Sequence, residues 1–231
     1  MIKRESSEGK CVNCLTQSAC ALSVLNGDEL HMAELAMHRL RYLDDQTIFM
    51  QGAAVHGLHI LCQGLVRLRL ATQDGRRLLV RFCRPRDLLN GIALHEYAFS
   101  AVSMGASTVS FIDKAKATEL VKRHPKLELE IEHRFAQDGQ LLLQRMADLA
   151  YENVEERLAH ILLSLGQRHG VQEGKALRID LPLSQQDLAD MIGSSRQTVS
   201  LELRKLAGPG LIREERCQIT ILNEQGLRNL G

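Results

Sequence analysis

Residues 183–206 restrict the fold most. Leu183-Ser184-Gln185-Gln186-Asp187-Leu188-Ala189-Asp190-Met191-Ile192-Gly193 opens on a serine able to cap a helix, carries an acid three residues later, and closes on glycine. Serine caps through its hydroxyl, and glycine adopts the left-handed backbone that ends a helix. Ser194 or Ser195 then caps a second helix, Arg196-Gln197-Thr198-Val199-Ser200-Leu201-Glu202-Leu203-Arg204-Lys205-Leu206. Two helices joined by a tight glycine turn predict a helix-turn-helix. Val199, Leu203 and Leu206 share an inner face, while Ser195, Arg196, Gln197 and Ser200 lie at or near the N-terminal end. That end of a recognition helix meets base edges. Arginine can bond guanine O6 and N7 together, glutamine can do the same to adenine N6 and N7, and a helix N-terminus attracts phosphate. Gly208-Pro209-Gly210 then makes a sharp turn, and Leu211 to Ile221 reads as a hairpin wing. The competing reading is a helical hairpin and wing that bind protein. Cap, glycine, polar tip and wing in this order point instead to double-stranded DNA.

The chain ahead of this element changes character twice. From about Leu40 to Ile112, short apolar runs alternate with turn signals at Gln51-Gly52, Gln63-Gly64, Asp74-Gly75 and Pro85-Arg86-Asp87. Leu65 to Leu70 alternates as a half-buried strand should, and Asp74-Gly75 reads as a hairpin turn. Strands this short and this regularly spaced predict a small antiparallel barrel or roll. A short helix precedes it, with Asp28 and Glu29 in its first turn. From Lys114 to about Arg168 the pattern is helical, and Phe135, Gly139, Leu142, Met146 and Leu149 follow a four-three-four-three spacing. That is a coiled-coil seam and predicts a homodimer, with Gly139 allowing close backbone approach. An ordinary amphipathic helix packed on its own domain is the alternative. Glu155-Glu156-Arg157-Leu158-Ala159 leads into another helix that ends near Gly166 to Gly170, and the last sixty residues read helix, helix, then two short strands. The predicted organisation is a cysteine-rich segment over 1–20, a sensor domain over 21–115, a dimerisation helix region over 116–150 and a winged helix-turn-helix over 151–231.

Composition narrows the classes without choosing the partner. An apolar fraction of 45% suffices for a core, and a net charge of +1 leaves any nucleic-acid affinity to a few placed contacts. No apolar run reaches the ~20 residues of a membrane helix, and the charged start MIKRESSEGK lacks the apolar stretch of a secretory signal, so a cytoplasmic protein is expected. No Ser-His-Asp order, glycine-rich phosphate loop or paired-carboxylate helix appears, which argues against an enzyme. The nine histidines are scattered; His56, His59 and His95 have no spacing that signals heme, and His31, His38 and His160 read as surface or satisfied side chains. Of six cysteines, Cys11, Cys14 and Cys20 crowd the N-terminus, and in a reducing compartment they are thiols or metal ligands. Cys62, Cys83 and Cys217 individually read as small buried apolar side chains.

Gly193-Ser194-Ser195-Arg196-Gln197-Thr198-Val199-Ser200, with Leu183 to Ala189 before it, resembles the helix-turn-helix of the CRP/FNR family of transcription regulators. The strand run, the loop Pro85-Arg86-Asp87-Leu88-Leu89, the Glu155–Ala159 segment and the wing follow in that family's order, so the resemblance covers nearly the whole chain. It implies an α+β fold: an antiparallel β-roll like a cyclic-nucleotide-binding domain, a long dimerisation helix and a C-terminal winged helix-turn-helix. It also implies a two-fold symmetric operator and RNA polymerase as a partner. Arg196 matches an arginine that some members set on guanine. The glutamate common next to it is Gln197 here, and the arginine common five positions on is Leu201, so an operator unlike those of the founding branches is expected.

The resemblance also bears on the signal. Cyclic-nucleotide-binding members use a Gly-Glu pair and an Arg-Ser pair; the matching positions are Asn90-Gly91 and Phe99-Ser100, without the carboxylate or the cation, which argues against cyclic AMP. Cys11-x2-Cys14-x5-Cys20 resembles the FNR-type cluster segment and implies an oxygen- or nitric-oxide-sensitive iron–sulfur cluster of the 4Fe-4S kind. That branch takes its fourth cysteine from a late roll strand, where Ser110 stands here. Cys62, Cys83 or a non-cysteine group is left to complete the set. Zinc binding, thiol redox chemistry or a small organic effector in the roll are the alternatives.

Overall fold

The described residues, 20–230 of a computed structural model, begin with a single 3-10 turn, Ala21–Val24, and helix α1 (Gly27–Leu35). Asn26 starts α1 through a capping box: its side chain accepts from Glu29 N at 3.0 Å, and the Glu29 carboxylate accepts from Asn26 N at 2.8 Å. Strands β1 (Met37–Tyr42), β2 (Thr47–Phe49), β3 (Gly57–Ala71), β4 (Arg77–Cys83) and β5 (Ser100–Asp113) then form an antiparallel sheet ordered β1-β5-β3-β4, with β2 also on β5. Helices α2 (Lys114–Arg123) and α3 (Pro125–Tyr151) follow. The chain divides into two compact units after Gly139, within α3, so the segment expected as a dimerisation region is shared between them.

One sequence expectation is corrected in β3. Gln63-Gly64 reads as a break between two strands, yet β3 runs unbroken for 15 residues. Gly64 has φ of 86°, and a Cβ there would lie 2.4 Å from Ser107 Oγ, so the glycine forms a bulge inside the ladder rather than a turn. The register with β5 shifts on both sides of Gln63. The extra residue also reverses which parity faces inward: Leu61 before the bulge and Val66 and Leu68 after it share one core cluster. Leu58 and Ile60 face the opposite way, into a second cluster with Leu22, Leu30, Ile112 and Leu127. The roll therefore has an inner core and an outer one, the latter covered by the N-terminal segment and the helices.

The second unit contains the end of α3, then α4 (Val154–His169), β6 (Gly170–Glu173), β7 (Ala176–Ile179), α5 (Gln185–Ile192), α6 (Arg196–Ala207), β8 (Ile212–Glu215), β9 (Gln218–Ile221) and α7 (Glu224–Arg228). Asn153 caps α4 through a second capping box, with Glu156. At this corner His160 Nδ1 lies 2.8 Å from Glu152 Oε1, joining the end of α3 to α4. The wing is wider than the sequence reading: four strands in the order β6-β7-β9-β8, not two. The four residues of β6 are all exposed and do not alternate, so their pattern carries no strand signal.

Candidate nucleic-acid interface and sensor segment

Local chemistry fixes the two helices that carry the candidate interface. Ser184 Oγ accepts from Asp187 N at 3.0 Å, and the Asp187 carboxylate accepts from Ser184 N at 3.2 Å, so aspartate closes a box that more often uses a longer acid. Gly193 ends α5 with φ of 63° and donates to Ala189 O. Two residues later Ser195 caps α6, its Oγ accepting from Thr198 N at 3.1 Å. Val199, Leu203 and Leu206 are at most 1% exposed, so one face of α6 is anchored in the unit's core.

The opposite face is open. Ser195, Arg196, Gln197, Ser200, Leu201 and Arg204 line one shallow cavity together with Gln185 of α5. Arg196 and Gln197 are exposed, and Ser200 is half-buried, with Arg204 Nη2 donating to its Oγ at 3.2 Å. Gln185 Nε2 donates to Glu214 Oε1 at 3.0 Å, which ties the start of α5 to wing strand β8. All four residues expected to meet DNA thus stand at one end of one helix, brought to the surface by its cap. Gln185, Leu201 and Arg204 join them. Helical spacing from Gln197 places Leu201 and Arg204 on this face, a signal present in the sequence.

The five residues of the expected dimer seam fall in different surroundings. Phe135 belongs to the first unit, packs on the outer roll core and lies 3.5 Å from where a Cβ of Gly91 would be. Nothing lies within 4 Å of a Cβ built on Gly139. In the second unit Leu142, Met146 and Leu149 are 40%, 65% and 39% exposed.

In the roll, the positions matched to nucleotide ligands serve the fold. Asn90 Oδ1 accepts from His59 N at 3.0 Å and lies 2.9 Å from His59 Nδ1, while Asn90 Nδ2 donates to Gly57 O at 2.8 Å. Ser100 Oγ accepts from Gln51 N at 3.0 Å. The rings of Phe49 and Tyr97 stack at 4.1 Å, and His59 lies 5.1 Å from Phe49. Burial holds the His59 pKa down at about 4, against the opposing bond to Asn90.

Of the N-terminal cysteines, Cys11 and Cys14 lie outside the described residues. Cys20 precedes the 3-10 turn, is half-buried and packs against the outer roll core. Cys83 is wholly buried in the inner core, and burial pushes its thiol up to about 12. Cys62 is half-buried, and its Sγ lies 3.0 Å from Ser110 Oγ. Ser110 pairs with Ile60 across the β3–β5 ladder, so Cys62 and Ser110 share the sheet face of the outer core. Cys217 is a correction: it is exposed in the turn of the wing and not a buried apolar side chain, because the β8–β9 hairpin turns at Arg216, which has φ of 53°.

Among the described residues, no helix is long and apolar enough to cross a membrane. Comparison with known proteins agrees with both units. Residues 39–124 match the cyclic nucleotide-binding domain family, and residues 156–230 match the Crp-like helix-turn-helix domain family. The nitrogen fixation regulation protein FixK of Bradyrhizobium diazoefficiens is 28% identical over 202 residues, covering 87% of this chain and 85% of its own. A CRP-like cAMP-activated global transcriptional regulator of Mycobacterium tuberculosis is 28% identical over 184 residues, covering 78% and 82%. The solved structure of FixK2 from Bradyrhizobium japonicum superposes with a TM-score of 0.75 at 22% identity, covering 84% of this chain and 96% of that one. With its roll, its long helix and its winged helix-turn-helix, this chain belongs to the CRP/FNR family of transcription regulators, which act by binding DNA and not by catalysis.

Proposed function

We propose that the chain recognises a two-fold symmetric DNA operator as a homodimer, with Ser195, Arg196, Gln197 and Ser200 of each protomer at base edges and phosphates. The observation that carries this is the capped, exposed N-terminal end of α6 above a fully buried anchor face. Regulators of this family bind DNA and act as dimers. Here the exposed Leu142, Met146 and Leu149, with Gly139 ahead of them, supply the seam. Charge is nearly balanced overall, so affinity rests on placed contacts made twice. Binding near a promoter in the cytoplasm brings RNA polymerase in as the partner.

We further propose that the signal is an iron–sulfur cluster, 4Fe-4S in type, held by Cys11, Cys14, Cys20 and Cys62. Cys62 supports this by its position. Its sulfur stands beside Ser110, the place of the late-strand cysteine in cluster-bearing relatives, on the sheet face against which Cys20 packs. Cys83 is unsuited by its place: it is wholly buried in the inner core, whereas Cys20 packs against the outer one. When bound, the cluster would supply a centre that oxygen or nitric oxide converts. The chain's own contribution is to hold a half-buried thiol where the N-terminal segment meets the roll. A cyclic nucleotide suits this roll less well, since Asn90 and Ser100 are engaged by the backbone and aromatic rings pack its inner core.

Selection of duplexes from a random pool by the full-length protein tests the DNA reading. The expected product is an inverted repeat with half-sites about 10 base pairs apart, centre to centre. Absence of any enriched sequence, or a single unrepeated motif, would contradict it.

A further inference from the structure

Leu201 is an anomaly in an otherwise orderly helix. α6 buries Val199, Leu203 and Leu206 to 1% or less, whereas Leu201 is 54% exposed. It is not isolated on the surface, because it lines the same cavity as Arg196, Gln197, Ser200 and Arg204. At 100° per residue, these five side chains cover one outward face, with Leu201 on the flank nearest Gln197. A single exposed leucine elsewhere would need no explanation. Set among hydrogen-bonding side chains on a surface built to enter a groove, it needs a partner of its own kind.

The major groove offers one apolar group, the 5-methyl of thymine. Four residues of α-helix rise about 6 Å, close to two base-pair steps of about 3.4 Å. Leu201 thus reaches a different base pair from Gln197. It has no hydrogen-bonding group, so it adds no preference among the polar edges of the other bases. We propose that Leu201 is a specificity-determining residue that reads a thymine methyl group in each half-site. This rests on the DNA-binding reading above, and gives the operator a methyl-dependent position beside those read by Arg196 and Gln197.

Uracil differs from thymine only by lacking that methyl. The experiment takes the duplex selected by the full-length protein and replaces each thymine in turn, symmetrically in both half-sites, by deoxyuridine. Affinity is measured for the wild-type protein and for Leu201→Ala, with unfolding temperatures confirming that both are folded. One thymine position should be sensitive in the wild type, with affinity falling about fourfold per half-site, the loss of one buried methyl. In Leu201→Ala that sensitivity should vanish, while Leu201→Met, which keeps an apolar chain, should retain part of it. If no thymine is sensitive, or if the alanine variant keeps the same sensitive position, Leu201 does not read a methyl. Either result would leave DNA recognition standing, because the duplex was selected beforehand. Failure to select any sequence would instead overturn the DNA-binding reading itself.

Discussion

His59 is an ionisable side chain kept neutral by its surroundings. Its ring is 4.9 Å from that of Phe111 and 5.1 Å from that of Phe49, and the residue is 5% exposed. Burial lowers its pKa to about 4, while an unfolded imidazole titrates near 6.5. Between these values the unfolded chain binds the extra proton and the folded chain does not, so stability falls as pH falls through this window and is restored above it. The full effect is about 3 kcal/mol for the unit that contains the roll. Denaturant unfolding followed at pH 7.5 and pH 5 should show about 2 kcal/mol of this loss, and His59→Phe should flatten it. Equal pH slopes for the two proteins would mean that His59 is not the group responsible. At the same scale, the exposed place of Arg196 and Gln197 at the start of α6 was legible from the N-cap ahead of them. The exposure of Leu201 was not, because helical spacing puts an apolar residue on this face without telling that it stands in the open.

At the scale of elements, caps and glycines explain what could be read in advance. Ser184, Gly193 and Ser195 act on backbone within four residues of themselves, so their helix boundaries follow from neighbouring letters. The roll is different. Gly64 reads as a turn, and only the distant β5 makes it a bulge. Strands β6 and β7 are four residues each; β7 gains its order from the distant β9, and β6 from β7. The closeness of Cys62 to Ser110 is likewise a product of pairing across 48 residues. This ladder carries a prediction of its own. Anaerobic reconstitution with iron and sulfide should give a brown protein whose visible absorption is lost in Cys62→Ser and kept in Cys83→Ala. Loss of absorption in Cys83→Ala with retention in Cys62→Ser would reverse the assignment. A colourless wild-type protein that takes up stoichiometric zinc would end the cluster reading.

At the scale of the molecule, the sequence places a roll first, a long helix in the middle and a winged helix-turn-helix last, and the structure has this order. The coiled-coil spacing is uneven in outcome: Phe135 packs on its own roll, whereas Leu142, Met146 and Leu149 are exposed. Spacing alone assigned all five to one seam, because a period does not tell which neighbour covers a face. A dimer makes every α6 contact twice, so one side chain per protomer acts on both half-sites. The most direct test is therefore the ratio of operator affinity to random-duplex affinity at fixed salt for wild type, Arg196→Ala and Gln197→Ala. Each substitution should lower operator binding by about 1–3 kcal/mol while changing random-duplex binding far less. Equal losses on both duplexes would show that these side chains touch only phosphates, and no loss on either would mean that α6 does not read the operator.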